Sequence, residues 1–188
     1  MPYIRVGGLT QDYALYNASL KTALNGTYDP NISEDYPTTL YIGPSFFESY
    51  EMWPGVKYSH GFNFGLGANS SEGWQTLVDT ASLACKALGN GKLYAWEYGN
   101  EPNNYATRFQ GAVRPPTWNE STYVRQWLNG TDEIGRQVQK HCPEIAFYNG
   151  LRFMAPSYDD RVSTLNASMV WEDGLDKRRD ISAYAVHK

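Results

Sequence analysis

The 188-residue sequence lacks the features that mark several common classes of protein. It has only 2 cysteines and 3 histidines, and the histidines do not show the spacing of a metal site. No apolar run approaches the length of a membrane span. Basic residues are also scarce, with 16 Lys and Arg against 20 Asp and Glu and a net charge of −4. We therefore expect no metal site, no membrane span and no nucleic-acid partner.

A phosphate-binding glycine motif is also missing. The segment "RVGGLTQD" (5–12) contains two glycines but has neither the G-x-G-x-x-G nor the G-x-x-x-x-G-K-[ST] spacing. We therefore expect no nucleotide and no other cofactor. Nothing in the sequence indicates an oligomeric state. Cys85 and Cys142 leave two alternatives open, namely one disulfide in an oxidising compartment or two buried free thiols.

Asparagine sequons, in contrast, are abundant. The sequence has 13 Asn and 25 Ser or Thr, which would give about two N-x-[ST] sequons by chance. Seven are present, at Asn17, Asn25, Asn31, Asn69, Asn119, Asn129 and Asn166. This excess predicts glycosylation and a secreted protein. The N-terminus lacks the segments of a signal peptide, and a start inside a longer gene would account for that.

Apolar patterning predicts alternating strands and helices. Strands are predicted at 2–8, 58–65, 92–102, 144–150 and 180–187. This order favours right-handed crossovers and a parallel sheet in an α/β domain. The intervening residues 9–56 read as long loops with one short helix, and nothing suggests a linker or second domain.

Two segments show the apolar spacing of helices. The first, "SEGWQTLVDTASLACKALGNG" (71–91), has Ser71 as a predicted N-cap and Gly89 as a predicted C-cap. The second, residues 117–143, is expected to stop at Pro143.

The segment "WEYGNEPNNY" (96–105) places two carboxylates at the end of the third predicted strand. Pro102 ends that strand and is expected to hold Glu101 in an extended conformation at its rim. Glu97 lies deeper, where a carboxylate must be paired or hydrogen-bonded, so we expect a structural role for it. In a (β/α)8 barrel, the strand end occupied by Glu101 is where active-site residues lie.

These motifs carry a family resemblance. The string "WEYGNEPN" resembles the acid/base motif of glycoside hydrolase family 79, which contains heparanase and the β-glucuronidases. The segment "IRVGGLTQD" (4–12) is similar to the second-strand signature of that family. "SHGFNFG" fits its third strand and "AYAVHK" its sixth.

The resemblance implies a partial (β/α)8 TIM barrel. About five parallel strands, the second to the sixth, and their crossover helices would form one incomplete catalytic domain over residues 1–188. The first, seventh and eighth strands and the accessory β-sandwich of the family would be absent. The nucleophilic glutamate of the family follows the seventh strand, so the chain would be inactive alone.

The family pattern also implies roles for individual residues. Glu101 would be the acid/base, with a pKa raised by an apolar site and a neighbouring nucleophile. Asn100 would donate to the sugar 2-hydroxyl, and His187 would lie near the site. Arg5 would hold the nucleophile ionised, or form a buried salt bridge instead.

Three further residues are weaker candidates for substrate binding. Asp12 would contact the sugar or cap a helix. Tyr105 would flank the leaving group. Arg152, at the end of the predicted strand 144–150, would reach a uronate carboxylate or lie on the surface.

The function implied is retaining hydrolysis of β-linked glucuronic acid, by exo-cleavage of a glucuronate-containing glycan. Two alternatives remain open. One is a retaining barrel hydrolase that acts on neutral β-glycosides, since "NEP" is shared more widely. The other is a non-catalytic glycan-binding remnant.

Overall fold

A computed structural model describes residues 1–108, 111–148, 151–161 and 164–188. The strands are β1 (Tyr3–Val6), β2 (Leu15–Tyr16), β3 (Leu24–Thr27), β4 (Thr39–Ile42), β5 (Lys57–Phe62), β6 (Leu93–Tyr98), β7 (Phe153–Asp159) and β8 (Ile181–His187). The helices are α1 (Ser71–Ala87), α2 (Glu120–His141), α3 (Pro143–Tyr148) and α4 (Ala167–Glu172). Three short 3-10 helices cover Leu9–Asp12, Pro44–Glu51 and Pro102–Asn104.

The main sheet is a curled half-barrel of five parallel strands in the order β1-β5-β6-β7-β8. Parallel neighbours require crossover connections, and α1 and α2 supply two of them. The prediction of a partial barrel with about five parallel strands is confirmed. All five strands direct their carboxyl ends to one edge of the sheet, and that edge carries the candidate site.

One of the five strand predictions is wrong. The segment predicted as a strand at 144–150 forms α3 up to Tyr148, and residues 149 and 150 lie outside the described part. Pro143 at the first helical position and Glu144 in the first turn both favour a helix start. The strand in this region is β7 (Phe153–Asp159) instead. Its internal Pro156 is atypical of a central strand, so the apolar pattern did not predict it.

Residues 9–56 contain more regular structure than predicted. Strands β2, β4 and β3 form a small mixed sheet, in that order. It packs against α1, where the Tyr16 amide donates to Thr76 Oγ1 at 3.0 Å. The strands are only two to four residues long, and β3 is exposed throughout. Such strands have no apolar alternation from which to predict them.

Both predicted helices are confirmed, with small shifts at the ends of the first. The N-cap of α1 is Ser70, one residue before the predicted one, because its hydroxyl accepts from the Gly73 amide. The C-cap is Leu88 rather than Gly89. Helix α2 starts after the capping side chain of Asn119 and ends before Pro143, as expected.

A disulfide joins the two long helices. Cys85 of α1 is bonded to Cys142 at the end of α2, which decides between the two alternatives for these thiols. Both residues are buried in a core rich in aromatic side chains. In the described residues, no helix combines the length and apolar character needed to cross a membrane.

Candidate active site

A cleft of about 710 Å³ lies at the carboxyl ends of the parallel strands. Strand ends in this position carry the active sites of barrel enzymes. Its lining is largely polar or charged and includes Arg5, Asp35, Asn100, Glu101, Asn104, Thr107, Arg108, Asp159, Arg161 and His187. Four of these, Arg5, Asn100, Glu101 and His187, were singled out in the sequence as site residues. The fold thus brings together residues that are as much as 182 positions apart.

The backbone at Glu101 is left-handed, with φ 51° and ψ 54°. The extended conformation expected before Pro102 is therefore wrong. Strand β6 ends at Tyr98, Gly99 turns the chain with φ 95°, and Pro102 starts a 3-10 helix. The Glu101 amide is held by the Ser157 carbonyl at 2.8 Å, so the neighbouring strand fixes this turn.

Two side chains hold the Glu101 carboxylate at the rim. His187 Nδ1 lies 2.8 Å from Oε1, and Asn104 Nδ2 donates to Oε2 at 3.2 Å. The His187 hydrogen bond lowers the pKa of Glu101 and outweighs the burial that raises it. The expectation of a raised pKa is therefore wrong for this chain, in which a donor, rather than a second carboxylate, is the nearest partner of Glu101.

Glu97 is fully buried and forms a two-pronged ion pair with Arg5. Arg5 Nε and Nη2 donate to its two oxygens at 2.8 and 2.9 Å. The predicted interior position and pairing of Glu97 are thus observed. Arg5 forms the salt bridge that was one of its two predicted roles, and its role toward a nucleophile stays a prediction.

Arg5 also orients Asn100. Its Nη2 donates to Asn100 Oδ1 at 2.8 Å. A guanidinium only donates hydrogen bonds, so the amide oxygen must face Arg5 and the amide nitrogen must face the other way. Asn100 lines the cleft. This arrangement suits the predicted donation to a sugar hydroxyl.

Asp12 and Tyr105 lie beneath the cleft floor rather than in it. Both are fully buried, and the Tyr105 hydroxyl donates to Asp12 Oδ1 at 2.7 Å. Asp12 ends a 3-10 helix, so its alternative role as a helix N-cap is wrong. Burial raises the pKa of Asp12, and the guanidinium of Arg108 opposes this rise. Arg108 was not singled out in the sequence.

The correct strand boundaries relocate Arg152. It is exposed and precedes β7, so it lies at the opposite edge of the sheet from Glu101. This position argues against the predicted contact with a uronate carboxylate. The carboxyl end of β7 instead presents Asp159, which Arg161 binds through both oxygens at 2.9 Å. Arg161 holds the pKa of Asp159 well below its usual range.

Neither Asp159 nor Arg161 was found from the sequence. Both lie at the carboxyl end of a barrel strand, where site residues are expected. The sequence analysis placed this strand at 144–150, so it looked for site residues at the wrong strand end.

All seven sequon asparagines are exposed. Asn119 and Asn166 are helix N-caps whose side-chain oxygens accept hydrogen bonds from backbone amides. Their side-chain nitrogens, where a glycan would attach, therefore point away from these amides. Glycosylation stays a prediction. Among the described residues, no group of His, Cys, Asp and Glu is arranged to hold a metal ion.

Comparisons with known proteins identify relatives of the whole chain. A β-glucuronidase from Neurospora crassa is 56% identical over 186 residues, covering 99% of this chain and 33% of the relative. A β-glucuronidase from Aspergillus niger is 50% identical over 186 residues, covering 99% of this chain and 34% of the relative. The chain thus spans about a third of the length of these relatives. No protein-family model matches it.

A solved structure supports the same relationship. It is the crystal structure of a 4-O-α-L-rhamnosyl-β-D-glucuronidase from Fusarium oxysporum 12S in complex with Rha-GlcA. The TM-score is 0.70 at 26% identity, covering 100% of this chain and 36% of that chain. The chain is therefore a homologue of β-glucuronidases over almost its entire length, which confirms the resemblance found in the sequence.

Proposed function

We propose that this chain carries the acid/base half of the active site of a retaining, family 79-like exo-β-glucuronidase. The observation that carries the proposal is the carboxylate of Glu101 at the rim of a parallel half-barrel, in a chain homologous to β-glucuronidases. Glu101 protonates the glycosidic oxygen as the leaving group departs and then deprotonates the attacking water. Asn100 donates to the sugar from the adjacent position.

The low pKa of Glu101 fits this role only when a second carboxylate completes the site. A nucleophile about 5 to 5.5 Å away is needed in a retaining glycosidase. Its negative charge would raise the pKa of Glu101 and keep it protonated at the working pH. In the double displacement the nucleophile later loses that charge to the covalent intermediate, which lets Glu101 act as a base.

The nucleophile belongs to sequence outside these 188 residues in this proposal. Two of the carboxylates near Glu101 are already engaged, since Glu97 is bound by Arg5 and Asp159 by Arg161. Glu97 is also fully buried and has no surface from which to attack a sugar. The chain alone is therefore inactive. The relatives are about three times as long, which leaves ample sequence for the missing carboxylate.

The same proposal places the protein in the secretory pathway as a glycoprotein. The disulfide between Cys85 and Cys142 suits an oxidising compartment. All seven sequon asparagines are exposed, as attachment of a glycan requires. The substrate is a carbohydrate that ends in β-linked glucuronic acid.

The test compares Glu101→Ala with wild type in the protein at its full natural length. A glucuronide with an alkoxide leaving group needs a general acid, and its turnover should fall by about 10²- to 10⁴-fold. A dinitrophenyl glucuronide needs little protonation, so its glycosidic bond should still break. Added azide should then rescue turnover and yield the β-glucuronyl azide.

Glu172→Ala is the matched control, because Glu172 is exposed on α4. It should leave both substrates unaffected. Activity of the wild type on glucosides but not glucuronides would favour the neutral-glycoside alternative. Glycan binding without turnover of any glycoside would favour the binding remnant. Turnover by the 188-residue chain alone would contradict the external nucleophile.

A further inference from the structure

Asp12, which is fully buried, and its partner Arg108, which also lines the cleft, hold the turn that carries the candidate acid/base. We propose that this pair positions the Asn100–Glu101 turn for catalysis. The inference rests on the proposed function, since it assigns the pair a role in the same reaction. It gives Asp12 and Arg108 positioning roles that the sequence analysis did not assign.

Asp12 and Arg108 together bind both the backbone amide and the backbone carbonyl of Asn100. The Asn100 amide is shared between the two oxygens of Asp12, at 3.2 Å from each. Arg108 Nη2 donates to Asp12 Oδ2 at 2.8 Å and to the Asn100 carbonyl at 2.9 Å. That carbonyl belongs to the peptide unit that links Asn100 to Glu101. Fixing the plane of this unit therefore constrains the backbone from which the Glu101 side chain departs.

Tyr105 completes the network. Its hydroxyl is the third donor to Asp12, and its ring lies 4.8 Å from the Arg108 guanidinium carbon. A buried carboxylate is costly unless donors surround it. Here an amide, a hydroxyl and a guanidinium satisfy it. The three partners come from residues 88 to 96 positions away in sequence, so the network joins the loop after β1 to the loop after β6.

The conformation of Glu101 gives this network a function beyond stability. A left-handed backbone at a residue other than glycine costs about 1 to 3 kcal/mol and persists only where surrounding contacts enforce it. The Ser157 carbonyl holds the Glu101 amide on one side of the turn. Asp12 and Arg108 hold the preceding peptide on the other. Without them, the turn relaxes and the carboxylate leaves the position beside His187.

The decisive experiment uses Asp12→Asn in the full-length protein, because it keeps the shape of the side chain and removes its charge. Turnover of a glucuronide with an alkoxide leaving group should fall about 100-fold, as expected for a misplaced general acid. Turnover of the dinitrophenyl glucuronide should fall less than about 3-fold, since that step hardly needs the acid. Tyr105→Phe, which removes one donor, should show the same selectivity with a smaller loss.

A structural role alone would lower both activities equally, because it changes only the amount of folded enzyme. Equal losses on the two substrates would overturn the proposal. Glu133→Gln, which neutralises another buried carboxylate in an ion pair on α2, is the matched control and should show no selectivity. Arg108→Lys keeps the charge but loses the pair of hydrogen bonds that joins Asp12 to the Asn100 carbonyl, so its effect should resemble that of Asp12→Asn.

Hydrogen exchange in the same proteins separates this inference from the proposed function. Asp12→Asn should speed exchange of the Asn100 and Glu101 amides about 10-fold or more relative to Glu133→Gln, with α1 unchanged. If wild type hydrolyses no glucuronide, the proposed function fails, while this local exchange still reports on the positioning network. Unchanged exchange at both amides would overturn the network whatever the activity.

Discussion

Carboxylate and imidazole side chains have opposite environments in the interior and at the rim of the half-barrel. Strand β6 leads to both Glu97 and Glu101, and the interior carboxylate is fully buried while the rim carboxylate is 21% exposed. The interior one is bound by a guanidinium, which is always charged. The rim one is bound by the imidazole of His187.

Two of the three histidines, His60 and His187, show the same contrast. His60 is buried beside Tyr50, and burial lowers its pKa to about 3. His187 lies in the cleft and is bonded to Glu101. The interior therefore uses fixed charges or neutral rings, which favours one structure. The rim keeps the Glu101 carboxylate in partial contact with solvent, as proton transfer requires.

The largest expected effect that sharpens this comparison is on stability. Glu97→Gln removes the charge of a fully buried carboxylate that accepts two hydrogen bonds from Arg5, whose own side chain is 33% exposed, and we expect it to lower the free energy of unfolding by about 2.5 kcal/mol. Glu101→Gln removes a partly exposed pair and should cost less than about 1 kcal/mol. Urea unfolding of both variants at neutral pH measures the difference. Similar losses would show that the interior and the rim are equally important for folding.

Gly99 joins the two regions, so its substitution tests the connection between them. Its φ is 95°, and an added Cβ would lie 2.7 Å from Phe64 Cδ1 and 2.9 Å from the Tyr105 hydroxyl. Gly99→Ala should therefore cost about 2 kcal/mol from backbone strain and overpacking together.

Gly91→Ala is the matched control for Gly99. Gly91 has a φ of 79° and nothing within 4 Å of an added Cβ, so only backbone strain applies. We expect it to cost about 1 kcal/mol. Equal losses in the two variants, measured by urea unfolding, would mean that the contacts of Gly99 with the aromatic layer are unimportant.

How far the sequence predicted the site depends on how local each feature is. The position of Glu101 just beyond the carboxyl end of β6 and the pairing of the interior Glu97 were predictable, because proline and strand alternation act over a few residues. The Asp12–Arg108 network was not, because it joins residues 96 positions apart. The left-handed Glu101 was missed for the same reason, since the turn depends on the Ser157 carbonyl of another strand.

The acid dependence of stability offers a test of the interior histidine. The folded protein binds a proton at His60 more weakly than the unfolded chain, whose histidines titrate near 6.5. Stability should therefore fall as pH decreases from about 6.5 toward 3, by at most about 1.4 kcal/mol per pH unit from this residue.

His60→Gln removes that titration and keeps polar atoms beside Tyr50. The slope of unfolding free energy against pH, measured between pH 4 and 6, should be shallower in this variant than in wild type. His141→Gln, at the end of α2, controls for the loss of an imidazole elsewhere. An unchanged slope in His60→Gln would mean that water reaches the ring.

The smallest effect concerns the rim pair itself. His187→Phe removes the hydrogen bond that most lowers the pKa of Glu101, so this pKa should rise. His187→Asn keeps a donor and should raise it less. Carboxyl ¹³C NMR against pH measures both, with the resonance assigned by its loss in Glu101→Gln.

The same pair should also affect stability in a defined pH range. Because the folded pKa of Glu101 lies below its unfolded value near 4.3, the pair stabilises the fold above that pH. The contribution is lost as pH falls through the folded pKa. His187→Phe should therefore weaken the protein at pH 6 but not below the folded pKa of Glu101. A loss of equal size at both pH values would mean that the phenyl ring disturbs packing, and the contrast between a fixed interior and a titratable rim would lose its main support.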